Sequence, residues 1–221
     1  YGDIGTEKAV PYIKNLVKVP VGEHGECGAL DVKCTAKGTS FKLALGIRQV
    51  ECSCKLLGAH SAYNVALAAA MAYKLGMSAE EIAQAVSRLE CVPHRLQPIL
   101  SGGVTVLDDA YNANIRGAAE AVSVLRLSEG RKIVVTPGIV ELGVLEEKEN
   151  FAFGEKLTGL DLVLLVGDTL VGAVKNGYLK AGGDAEKLCV VPTLEDAKKK
   201  LSSYLQAGDT VLFLNDLPDV Y

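Results

Sequence analysis

Between Val104 and Leu214 the chain alternates short apolar runs with helix-patterned segments, and this rhythm restricts the folds open to it. The runs Val104–Asp108, Lys132–Thr136, Leu162–Val166, Lys187–Val191 and Thr210–Leu214 read as strands. Between them, segments near 117–127, 146–157, 170–179 and 194–205 read as helices. Alternation at this spacing predicts a mostly parallel, Rossmann-like α/β sheet with flanking crossover helices.

Residues 20–56 have another texture. Ala29–Thr35, Thr39–Leu45 and Gln49–Leu56 are short β-type runs separated by the Gly-containing turns Lys37-Gly38 and Gly46-Ile47, which predicts an antiparallel meander. A helix over Ser61–Leu75 follows, apolar almost all round and therefore expected to be buried, with Gly76 at its end. Ser78-Ala79-Glu80-Glu81 has the pattern of a capping box and opens a second helix running to about Leu89. Pro93 breaks that helix. The expected organisation is therefore a partial α+β segment over 1–93 and a Rossmann-like domain over 94–221.

Composition narrows the function classes. A net charge of −4 without a basic cluster argues against a nucleic-acid surface. No apolar run reaches the roughly 18 residues that cross a bilayer. No signal-peptide pattern follows Tyr1, so the expected compartment is the cytoplasm, and the missing initiator Met reads as a trimmed chain or fragment. The six cysteines lack metal-ligand spacing: Cys52 and Cys54 alternate along one strand as small apolar side chains, and reduced thiols are expected throughout.

The chemistry concentrates in Asp108-Asp109-Ala110-Tyr111-Asn112-Ala113-Asn114, two carboxylates and two amides at the end of a strand. In open α/β sheets, ligands sit beyond the carboxyl ends of the strands. Thirteen residues before Asp108 is Arg95, in Pro93-His94-Arg95-Leu96-Gln97, and farther back Gly58-Ala59-His60-Ser61-Ala62-Tyr63-Asn64 opens the apolar helix. Gly138-Ile139-Val140-Glu141-Leu142-Gly143 follows the next strand.

In this order the motifs resemble the Mur ligase family, ATP-dependent enzymes that add amino acids to the peptidoglycan precursor. The resemblance runs from about Gly38 onward. It is nearest to the branch that joins D-alanyl-D-alanine to UDP-N-acetylmuramoyl-tripeptide. It implies the rear of a central ATP-binding domain followed by the family's C-terminal domain, with the upstream segments as missing partners.

By that resemblance His60, Asn64, Arg95 and Asp109 stand on the nucleotide side, and Tyr111, Asn112, Asn114 and Glu141 on the substrate side. The residues themselves leave alternatives. Asn64 offers a donor and an acceptor suited to an adenine edge, or else bonds buried backbone while His60 packs beneath the helix. Arg95 clamps a phosphate, or forms a structural pair with Asp109. Asn112 and Asn114 meet a ligand, or serve as turn and capping amides. Glu141 stands at a helix start or in a plain βα loop. Three positions depart from the family pattern: Ser61 replaces an Asn while keeping the ability to cap a helix, Ile115 replaces a Pro, and Leu214-Asn215-Asp216 replaces Lys-Gly-Ser.

No Gly-x-x-x-x-Gly-Lys-Ser/Thr occurs in the sequence. The resemblance places that loop, and the groups that hold Mg2+, upstream, so this chain by itself is expected not to turn over. The expected parent reaction is ATP-dependent amide-bond formation through an acyl phosphate. A sister ligase of the folylpolyglutamate synthase type and a non-catalytic Rossmann-like binding module are the competing readings.

Overall fold

The computed structural model describes residues 26–111 and 114–214. The chain divides between Glu90 and Cys91 into two compact units.

In the first unit β1 (Cys27–Thr35), β2 (Gly38–Leu45) and β3 (Arg48–Cys54) form an antiparallel meander. Alternate residues Phe41, Leu43, Leu45, Cys52 and Cys54 point to one face and are buried there. Helices α1 (Ala59–Lys74) and α2 (Ala79–Ser87) cover that face with Ala62, Val65, Ala66, Ala69, Ile82 and Val86. Ser78 and Glu81 close the capping box expected of them: Ser78 Oγ accepts from Glu81 N at 3.2 Å, and Glu81 Oε2 accepts from Ser78 N at 2.8 Å.

Two expectations for α1 are corrected. The helix is not buried all round, because alanines form its inward stripe and bring it close to the sheet. The larger apolar residues Tyr63, Leu67, Met71 and Leu75, spaced by four, fall on the outer face and stay exposed. A helix of uniformly apolar residues carries no periodic signal that marks this division. Nor does Ser61 cap the helix. The N-cap is Gly58 at φ 83°, and Ser61, one turn inside, donates its hydroxyl back to Leu57 O at 2.7 Å.

In the second unit six strands run in the order β4-β5-β9-β6-β7-β8. They are β4 (Gln97–Ser101), β5 (Val104–Asp109), β6 (Lys132–Thr136), β7 (Leu162–Val166), β8 (Leu188–Val191) and β9 (Thr210–Leu214). All pairs are parallel except β4 with β5. Strand β4 lies outside the predicted set, since Pro98 demotes the run and only Ile99 and Leu100 carry β character. At a sheet margin a proline is tolerated because no neighbour needs its missing N–H. Gly102 (φ 58°) and Gly103 (φ 81°) make the two-residue hairpin turn from β4 to β5, a geometry with both central residues at positive φ.

The crossovers use α3 (Ile115–Leu125), α4 (Glu146–Glu155), α5 (Val171–Lys180) and α6 (Leu194–Tyr204). Three connections advance across the sheet in one direction and the last returns, so right-handed crossovers put α3–α5 on one face and α6 on the other. The core agrees. Ala197 and Leu201 of α6 pack on Ile133, Val135, Leu164 and Val211, while the alternating Val134, Val163, Leu165 and Leu212 are fully buried on the opposite side. At the crossing of α4 and α5, a Cβ on Gly154 would collide with Val174 O, and one on Gly177 with Phe151 O. The helix backbones touch there directly.

At the amino ends of the strands Arg131 clamps the buried Asp209. Nε donates to Oδ1 at 2.9 Å, Nη2 donates to Oδ2 at 2.6 Å and to Tyr204 O at 2.8 Å, and the guanidinium lies over the Tyr204 ring. Asp209 Oδ2 also accepts from Gln206 N. These bonds, with the Arg131 hydrogen bond dominant, hold the Asp209 carboxyl below the usual range. Its contribution to stability is therefore present above the ordinary carboxylate pKa and lost as pH falls through the folded value. Asp209→Ala is expected to lower the chemical-denaturation midpoint at neutral pH, because Arg131 Nε and Nη2 and Gln206 N lose their acceptor.

Candidate functional site

Parallel strands deliver their carboxyl ends to one edge of the sheet, and the loops after β5, β6 and β7 emerge there. Strand β5 ends in Asp108 and Asp109, which point to opposite faces. Asp109 shares the side of Leu107 and faces Leu214 across the ladder, and Asp108 shares the side of Val106 beside Phe213.

The turn before β4 folds back onto this end. Arg95 N donates to Val92 O at 3.1 Å, and the flanking residues His94 (φ 59°) and Leu96 (φ 51°) are both left-handed. Leu96 is buried and its N donates to Asp109 Oδ1 at 3.0 Å. Tyr111 N donates to His94 O at 3.4 Å. His94 Nδ1 lies 2.8 Å from Asp108 Oδ2, and Asp108 Oδ1 accepts from Ala110 N at 3.3 Å. The Arg95 guanidinium stacks on the exposed Tyr111 ring at 4.1 Å from its centroid. The structure thus brings Arg95, Asp109 and Tyr111 together.

Burial is the main influence on Asp109 and pushes its carboxyl up to about 6, against the opposing Leu96 hydrogen bond and the Arg95 charge. Between that value and the ordinary carboxylate pKa the folded protein holds a proton that the unfolded chain has released. Asp109 therefore adds stability as pH falls through about 6, and this is lost as pH rises. Denaturation midpoints taken from about pH 7 to about pH 4 should show the gain in the native protein. Asp109→Asn should lack it.

Asn114 caps α3, its Oδ1 accepting from Gly117 N at 2.8 Å. Asn112 lies outside the described residues, as do residues 215 and 216 of the departing tail. Glu141 is exposed at φ 62° in the loop after β6, five residues before α4 begins, and β9 lies between β6 and β5. In the first unit, His60 and Asn64 are one turn apart on α1. Asn64 edges a cavity of about 320 Å³ that is otherwise apolar, lined by Val65, Ala68, Met77, Ile82 and Leu89.

Two residues carry geometry that the sequence left unassigned. His94 bonds Asp108, and its signal was a lone histidine beside Arg95. Asn150 is fully buried in α4: its Oδ1 accepts from Ile139 N at 2.7 Å, and its Nδ2 donates to Ile139 O at 2.8 Å and Glu146 O at 3.0 Å. The signal was an amide three residues before Phe153, on the apolar side of its helix.

Residues 94–215, more than half of the chain, match the family described as Mur ligase, glutamate ligase domain. The chain belongs to the Mur ligase family. The UDP-N-acetylmuramoyl-tripeptide--D-alanyl-D-alanine ligase of Escherichia coli (strain K12) is 34% identical over 151 residues, covering 67% of this Mur ligase chain and 33% of that protein. The enzyme of the same description from Mycobacterium tuberculosis (strain H37Rv) is 32% identical over 194 residues, covering 78% of this chain and 38% of its own. The chain thus spans about a third of the length of these relatives. Among solved structures, MurF from Acinetobacter baumannii superposes with a TM-score of 0.78 at 25% identity, covering 90% of this chain and 43% of that one. MurF from Thermotoga maritima in complex with ADP has a TM-score of 0.79 at 21% identity and shares the fold.

Proposed function

We propose that this chain is part of an ATP-dependent ligase of peptidoglycan precursor synthesis. The parent enzyme joins D-alanyl-D-alanine to UDP-N-acetylmuramoyl-tripeptide. The observation that carries this reading is Arg95 stacked on Tyr111 beside the partly buried Asp109, at the strand ends of a Mur ligase domain. In the proposed reaction ATP phosphorylates the tripeptide carboxylate and the dipeptide amine displaces phosphate from the acyl phosphate.

The role proposed for this chain is to bind and orient. The Arg95 fork suits a phosphate, and the Asp109 carboxylate suits a ribose hydroxyl as acceptor. His60 and Asn64 are proposed on the nucleotide side as well. Tyr111, Asn112, Asn114 and Glu141 are proposed to meet the substrates. Mg2+ is expected in the parent, but among the described residues no group of three or more His, Cys, Asp or Glu could hold a metal ion. No helix among the described residues is long and apolar enough to cross a membrane.

Phosphate release by the full-length parent tests the proposal. Release is expected only when ATP, tripeptide and D-alanyl-D-alanine are all present. Release with a folate acceptor instead would replace this reading with a folylpolyglutamate-type ligase, and none under any of these conditions would leave a non-catalytic module. The chain alone, lacking a Gly-x-x-x-x-Gly-Lys-Ser/Thr loop, is expected to bind ATP with a dissociation constant of about millimolar or weaker by calorimetry.

A further inference from the structure

His94 is in a conformation its side chain does not favour. At φ 59° a Cβ is strained and glycine is the relaxed choice, yet an imidazole stands there. What the imidazole gains is one bond: Nδ1 lies 2.8 Å from Asp108 Oδ2, and since a carboxylate only accepts, Nδ1 is the donor. His94 is itself largely exposed, whereas the Asp108 side chain is mostly covered and anchored through Ala110 N. The bond therefore ties a solvent-facing turn to the fixed end of β5.

Arg95 is the next residue. Its backbone is held on one side by the His94 bond and on the other by Leu96 N on Asp109. The ring on which its guanidinium rests belongs to Tyr111, whose own N–H donates to His94 O. Turn, ring and guanidinium are thus linked through one residue that nothing in the proposed chemistry uses.

We propose that His94 is a positioning residue for the nucleotide: its bond to Asp108 fixes the turn from which Arg95 extends, and so holds the guanidinium over the Tyr111 ring. This rests on the reading of Arg95 as a nucleotide-side residue. The imidazole touches no reacting atom. It sets the attitude of the group that does.

Two substitutions separate this role from simple support. His94→Gly removes the imidazole while relaxing the backbone, so the thermal midpoint should stay at or above that of the native chain. His94→Asn places an amide nitrogen where Nδ1 was, on a residue that accepts left-handed backbone. The direct readout is the NMR signal of the Arg95 side-chain CH2 groups, shifted upfield by the ring beneath them. The shift should collapse in His94→Gly and return in His94→Asn.

In the full-length ligase, His94→Gly should raise KM for ATP about tenfold with kcat nearly unchanged, and His94→Asn should restore it. A ring-current shift that survives in His94→Gly would overturn the proposal. So would a lost shift with KM unchanged. A native parent that does not use ATP would defeat the proposed function instead, and the shift alone would then decide whether His94 holds Arg95.

Discussion

Gly177→Ala is expected to destabilise the 91–214 unit by about 3 kcal/mol or more, although alanine is the better helix former by roughly 1 kcal/mol. A Cβ at this position in α5 lands on the backbone carbonyl of Phe151 in α4, and one on Gly154 lands on that of Val174. A flexible side chain could move aside, but a carbonyl committed to its own helix cannot. The helices must separate, and the fully buried neighbours Val174, Phe153 and Tyr178 then lose contact. Lys180 over the Phe151 ring, which spans the same crossing, would be pulled away as well. Urea denaturation monitored by circular dichroism should show a lower midpoint at unchanged slope. Gly154→Ala combined with Gly177→Ala should cost less than the sum of the two, because either one alone opens the crossing. A more stable Gly177→Ala protein would refute the direct helix contact.

Asn150→Leu should cost about 4 kcal/mol, with an effect on the Glu141 loop that the glycine substitution lacks. The side chain is similar in volume, so little cavity forms. What is lost is the partner of Ile139 N and Ile139 O, and each buried polar group left unsatisfied costs about 1–3 kcal/mol. Gly138 shows how closely the amide is fitted: at φ 102° a Cβ there would stand 2.6 Å from Asn150 Oδ1. With the brace gone, limited proteolysis should cut between residues 139 and 145 well before the sheet unfolds. Asn150→Asp keeps the acceptor for Ile139 N and loses both donors, so it should fall between the leucine variant and the native protein. An Asn150→Leu protein within about 1 kcal/mol of native, with its loop still protected, would show that the brace is dispensable.

The parallel sheet was legible in the sequence because short apolar runs such as Leu162–Val166 alternate with helix-patterned segments at the spacing that crossover connections need. The capping box at Ser78 was legible because its two partners lie three residues apart and depend on nothing distant. Strand β4 was not, since its evidence is a partner strand and a Gly-Gly turn rather than its own residues. The one-sided burial of α1 was hidden by an apolar pattern without period.

For the site, the motif placed Arg95, Asp109 and Tyr111 in one neighbourhood, but the pairing within it was unreadable. Which carboxylate takes Leu96 N and which takes His94 follows from two left-handed residues that are not glycine, and no local propensity announces them. Asn150 was missed for a related reason. Its partners are backbone groups, which look alike in every sequence.

The tight Gly102-Gly103 connection gives the β4–β5 pair the character of a ruler. It sets Gln97 opposite Asp108, and so returns the residues before β4 to the tip from which Asp109 and Tyr111 emerge. A single residue added between Ser101 and Val104 would slide that alignment by about 3.3 Å and exchange inside for outside along β4. The spacing between Arg95 and Asp109 is therefore written in the length of a loop at the opposite end of the strands. A natural variant of that loop would retune the site without altering any residue in it.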